Sequence, residues 1–241
     1  MESINIRYLF RLPDHRQEVV ELYLDTQSLD LIDKIQEKLP PWTNLDFHQC
    51  PNCLLTIQTH PSCPVAVCLV KLVPICKDLL SYDLIHVDVI MAERVISKDT
   101  SAQKGISSLM GLLMATSGCP RMSFLKPMAR FHLPFASDEE TLYRATSMYL
   151  LAQYFVRKQE QTADLELEGL LQIYHDIQIM NRAMAKRLRS ISDKDSAVNA
   201  LVLLDIFAET LPDAIEDSLQ EIRYLFKSYL ICQYILFQVS S

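Results

Sequence analysis

Apolar and polar side chains alternate from the start of the chain. Ile4, Ile6, Tyr8 and Phe10 are interleaved with Asn5, Arg7 and Arg11, the period of a half-buried strand. Pro13-Asp14-His15-Arg16 reads as a solvated turn, and Val20, Leu22 and Leu24 alternate with Glu21, Tyr23 and Asp25 as the returning strand. The same period predicts a third short strand through Leu29 and Leu31, giving a meander with one wet face. Pro64 is placed to open a helix running to about Leu80, with Cys68 and Cys76 on its core side. Leu84 to Met91 alternates again, with His86 beside Asp88 on the exposed face, and Arg94 to Lys98 pairs back as a hairpin.

Beyond residue 100 the period lengthens. Ser101 to Thr116 is a nearly uncharged helix with Gly105, Ser108, Gly111, Leu112 and Ala115 on one side. Glycine inside a helix costs about 1 kcal/mol relative to alanine, so two of them imply close approach of another backbone or room for a ligand. Gly118 is expected to cap that helix. Ser137 with Glu140 forms a capping-box pattern for a helix to about Lys158. Asp164 precedes an amphipathic run to about Ser190, with Leu167, Leu171, Tyr174, Ile177, Met184 and Leu188 inward and Lys186, Arg187 and Arg189 at its basic end. Ser192 with Asp195 opens the next helix, expected to end before Pro212, and Asp213 with Glu216 opens the last, to Phe237. Ten of the eleven prolines lie at or before Pro134, so the helices after it are long. The fold class expected is α+β: an N-terminal antiparallel sheet with a metal-binding loop, followed by a C-terminal multi-helix bundle. Residues 1–98 hold the sheet, a zinc-type loop (48–64) and one helix; residues 99–241 form the helical part, either a separate domain or packed as one unit with the first.

The chemistry concentrates in Cys50-Pro-Asn-Cys53 and His60-Pro-Ser-Cys63. Two ligand pairs, each separated by two residues and joined by a short loop, suit tetrahedral Cys3His ligation of a structural zinc by Cys50, Cys53, His60 and Cys63. His48 is a substitute ligand. An iron–sulfur cluster is the alternative and requires a fourth thiolate, which Cys68 or Cys119 can supply. Ordinary buried thiols are the plain reading. A second cluster follows: Cys119 and His132 as a nucleophile and base pair without an orienting third group, with Arg121, Lys126 and Arg130 as an anion pocket or as structural cations. His175 alone among the helices after residue 135 excludes a di-iron carboxylate bundle.

Charge narrows the partners. The net charge is −7, and residues 40–64 contain one charged side chain, Asp46, so nucleic acid is not expected. No apolar run of about 18 residues exists, so no membrane insertion is expected, and seven cysteines with C-x2-C spacing suit a reducing, cytoplasmic interior. Pro41-Trp42, Cys50-Pro-Asn-Cys53, the run Ser107-Ser-Leu-Met-Gly-Leu-Leu-Met-Ala-Thr-Ser-Gly-Cys119 and the run Lys126-Pro-Met-Ala-Arg-Phe-His-Leu-Pro-Phe-Ala-Ser137 together resemble an uncharacterised bacterial family, a domain of unknown function. The resemblance covers most of the chain, implies a bacterial cytoplasmic origin and carries no activity with it. Two functions remain. One is a non-enzymatic, zinc-stapled interaction or regulatory protein with a protein partner or a second copy docking on an apolar final helix. The other is an enzyme or small-ligand binder with a pocket between the helix at 105–115 and the loop at 119–132.

Overall fold

The alternation at the start of the chain becomes two paired strands, β1 (Ser3–Arg11) and β2 (Gln17–Asp25), in the register Ile6↔Leu22 and Tyr8↔Val20. This register stacks the apolar residues of both strands on one face. β3 (Leu84–Met91) and β4 (Val95–Ser101) form the second hairpin. β3 pairs with β1, so the antiparallel order is β2-β1-β3-β4, with β1 paired on both sides. The structure, a computed structural model, describes residues 3–32, 38–76, 78–191 and 195–236, with side chains except at 207, 210–214, 216, 218 and 232–236.

No strand forms through Leu29 and Leu31; one isolated bridge joins Leu24 to Leu31. The Asp25 carboxylate accepts the amides of Gln27 and Ser28 and folds the chain into a turn, and Leu29 follows at φ +58°. The helix expected from Pro64 to Leu80 is broken into α1 (Pro64–Leu69), a 3-10 turn (Val70–Leu72) and α2 (Val73–Cys76). Pro74 has no N–H to continue the ladder, and its ring crowds the preceding turn.

α3 (Ala102–Ala115) lies across the buried face of the sheet. A Cβ on Gly105 would stand 2.9 Å from Ile85 Cδ1 and 3.1 Å from Val87 Cγ2, so the missing side chain lets this helix sit down on β3. Gly111 faces the other way, where a Cβ would meet only Leu204 Cδ2 at an ordinary 3.7 Å. After α3, Gly118 turns the chain at φ +81° into the short helix α4 (Lys126–Arg130).

α5 (Asp138–Lys158) opens with a complete capping box between Ser137 and Glu140. α6 (Glu168–Arg189) follows a tight turn in which the Asp164 carboxylate accepts the Tyr149 hydroxyl and the Gly169 amide. α7 (Ser196–Ile222) runs unbroken through Pro212, against the expectation that one helix ends there and another starts at Asp213. A proline inside a helix costs about 3 kcal/mol. Here the packing of the rest of α7 against α3, α6 and α5 outweighs that, with Ala200, Leu201, Ala208, Ile215 and Ile222 buried along one side. A 3-10 turn (Arg223–Phe226) leads into α8 (Lys227–Leu236); Ser192 and Phe237 lie outside the described residues. Buried residues from both halves join in one core cluster, from Ile6 on β1 to Ile222 on α7. No helix among the described residues is long and apolar enough to cross a membrane.

Candidate metal centre

The loop that carries Cys50 and Cys53 is closed at its neck. The Cys63 amide donates to the Thr43 carbonyl (2.7 Å) and the Leu45 amide to the Pro61 carbonyl (2.9 Å), with Asn44 bridged to Ser62. Between these ends, the Cys53 amide donates to the Cys50 carbonyl at 3.0 Å, the knuckle that a C-x2-C pair makes. The knuckle is held from outside as well. Asn52 Nδ2 donates to the Asp176 carbonyl and carboxylate on α6, and Arg121 bridges the Asn52 carbonyl (3.0 Å) and the Asp176 carboxylate (2.7 Å). Two distant stretches, at Arg121 and at Asp176, therefore fix the position of two thiols.

Cys50, Cys53, Cys63 and Cys119 line one cavity of about 20 Å³, walled by Leu45, Val65, Pro120 and Met180. That volume accommodates a single ion or water. Burial pushes the Cys50 thiol up to about 12, and the neighbouring Cys63, Cys53 and Cys119 add to the shift, while Arg187 opposes it. Burial also raises the Cys119 pKa, and the Cys119 carbonyl accepts the amides of Met122 and Ser123 in the turn that presents the sulfur. The sulfurs surround the cavity without meeting at one point: among the described residues no three His, Cys, Asp or Glu groups stand in an ion-holding arrangement. All six cysteines with described side chains are free thiols. Rotation about χ1 moves each sulfur without moving the backbone that presents it.

His60 stands elsewhere. It is exposed, its Nδ1 lies 2.9 Å from Thr59 Oγ1, and its amide donates to the Thr56 carbonyl in an outer turn of the loop. His48 is exposed, edge-on to Phe47, and does not line the cavity. Cys68 is buried in α1 and does not line it either. Thus the structure groups Cys50, Cys53 and Cys63 with Cys119, and leaves His60 outside.

Arg187, on α6, is 1% exposed. Its guanidinium donates to the carbonyls of Trp42 and Asn44 (2.7 Å each) and of Leu45 (3.0 Å), and sits 5.9 Å over the Phe47 ring. No carboxylate among the described residues pairs with it, and its Nε has no partner. By sequence Arg187 is one of three cations ending a helix. Only its spacing, one turn beyond Met184 at the end of the inward stripe through Tyr174 and Ile177, separates the buried one from its neighbours.

The second sequence cluster is dispersed. Cys119 belongs to the thiol cavity, whereas His132 lies 2.5 Å from the hydroxyl of Tyr8, which is also 2.9 Å from Ser108 Oγ. Burial, with Arg144 nearby, holds the His132 imidazole down to about 3, a neutral ring at ordinary pH. Lys126 pairs with Asp30 (2.6 Å) and donates to the Ser28 carbonyl, and Arg130 stacks over Phe131. The cations hold parts of the fold and do not converge on one anion site. Tyr8 and Ser108 escape a sequence reading because each looks like part of a regular apolar stripe.

A family model described as a domain of unknown function (DUF6901) matches residues 6–227. No curated protein and no solved structure matches the chain.

Proposed function

We propose that this chain, which belongs to the family described as a domain of unknown function, is a non-enzymatic interaction protein stapled by a structural zinc ion at the thiol-lined cavity. The observation that carries this reading is the gathering of thiols from separate stretches around a space of single-ion size. The free thiols among the described residues suit a reducing, cytoplasmic setting. The enzyme alternative loses its support where Cys119 and His132 have different neighbours and Gly105 backs onto the sheet.

The interaction surface is α5. Its outward side carries Leu150, Leu151, Tyr154 and Phe155, all exposed, at helical spacing. The helix starts with Asp138, Glu139 and Glu140 and ends with Arg157 and Lys158, so a second copy laid antiparallel would set acidic starts against basic ends. A second copy of the chain is therefore the partner that fits this face. Elemental analysis of protein purified without chelator tests the staple: one zinc per chain is expected. Protein that neither contains nor takes up zinc, and whose melting is indifferent to chelator, overturns it.

A further inference from the structure

We infer that the ion is held by four thiolates, those of Cys50, Cys53, Cys63 and Cys119, and that Arg187 is the buried counter-charge of the resulting centre. The inference rests on the zinc reading above and adds the ligand set, with a thiol from beyond α3 in place of the nearby imidazole of His60.

Three observations carry it. First, Cys119 faces the same cavity as the other three thiols, while His60 is turned outward by the hydrogen bonds of the Thr56–His60 turn. Second, Arg121, two residues after Cys119, donates to the Asn52 carbonyl inside the Cys50–Cys53 knuckle at 3.0 Å, which ties the turn bearing Cys119 to that knuckle. Third, Arg187 is a fully buried cation that finds only carbonyls, with no carboxylate among the described residues to balance it. A buried charge without a counter-charge is expensive. A divalent ion with four thiolates carries two net negative charges, and Arg187, which donates to the carbonyl of Leu45 in the cavity wall, offsets part of them. On binding, each thiol gives its proton to solvent and its sulfur lone pair to the ion, with no change of oxidation state.

This ligand set ties three parts of the molecule together. Cys50 and Cys53 come from the loop after the first hairpin, Cys63 from the start of α1, and Cys119 from the turn after α3. The staple then joins the N-terminal stretch to the helices, where the set with His60 would close only a local loop.

X-ray absorption at the zinc edge of the purified full-length protein tests the assignment. Four sulfur neighbours at about 2.3 Å are expected, against three sulfurs and one nitrogen at about 2.0 Å for the set with His60. His60→Ala is expected to retain one zinc and the four-sulfur spectrum. Cys119→Ser is expected to weaken zinc at least tenfold in competition with a chelator, and Cys119→His to retain zinc with one nitrogen in the spectrum. Arg187→Met is expected to weaken zinc at least tenfold, with Arg187→Lys closer to the wild type. Should Cys119→Ser fail to fold, the wild-type and His60→Ala spectra remain decisive. A wild-type spectrum with one nitrogen that is lost together with zinc in His60→Ala overturns the role of Cys119 and leaves the zinc reading standing. Wild-type protein that takes up neither zinc nor cobalt overturns the reading itself. Folded Arg187→Met with undiminished affinity removes the counter-charge.

Discussion

Tyr8 sits at the centre of the sheet with a fully buried ring, its hydroxyl between Ser108 of α3 and His132 of the segment after α4. Burial raises its pKa, so the phenol stays protonated and can serve both neighbours. Removing that oxygen takes a partner from two polar groups at the edge of the core. Tyr8→Phe is therefore expected to lower stability by about 1–3 kcal/mol, read as a shift of the urea midpoint at unchanged slope. A midpoint that does not move would mean that water or another donor replaces the phenol. What sequence reveals at this scale is uneven. The knuckle cysteines stand out because two thiols at C-x2-C spacing have few other uses. Cys119 stands out only weakly, since its partners lie far away in the chain. Arg187 and Tyr8 hardly stand out at all: a helix-end cation and a strand aromatic have much the same pattern whether they face solvent, core or a buried polar group.

At the scale of elements, the two mid-helix glycines of α3 separate into different cases. Gly111→Ala has room and is expected to raise stability by about 0.5–1 kcal/mol through helix propensity. Gly105→Ala has none, because its new methyl would press on Ile85 and Val87, and is expected to lower stability. Thermal melts of the two variants should move in opposite directions, and parallel shifts would contradict the close packing of α3 on β3. The β3–β4 hairpin carries a pH response. His86 Nδ1 lies 2.7 Å from Asp99 and its Nε2 3.1 Å from Asp88, while Ser97 and Arg11 also hold Asp88. Asp99 above all, and Asp88, raise the His86 pKa against a smaller desolvation effect. Because the folded pKa lies above the unfolded value near 6.5, the hairpin gains stability that is complete below that value and lost as pH rises through the folded pKa. The difference in melting temperature between wild type and His86→Gln should therefore shrink as pH rises from about 6 toward about 9; a constant difference would deny the imidazolium. Most of these elements follow from periodicity and caps, since the capping box of α5 and the alternation of the strands are local signals. The departures at Pro74 and Pro212 run in opposite senses. In a short segment proline breaks the helix, and in a long one with an extended packed side the same residue is absorbed.

For the molecule as a whole, the exposed side of α5 makes concentration a variable. Leu151 and Phe155 are 57% and 58% exposed, and with their neighbours they form a contiguous apolar strip of the kind that marks an interaction surface. Light scattering is expected to give a dimer mass for the wild type and a monomer mass for the double variant Leu151→Glu/Phe155→Glu, while a monomeric wild type at micromolar concentration would set the second-copy partner aside. That the halves share one core was beyond the reach of local patterns, because burial of β1 and β3 depends on α3, which lies after both. The strand order has a kinetic consequence of its own. Each hairpin closes over a few residues, but joining them sets Ile6 beside Met91, so the sheet cannot be completed until nearly all of the chain that separates them has been gathered in. Loop-closure entropy makes that docking step the slow one. Refolding should then proceed from two early hairpins to a late merger along the seam between β1 and β3.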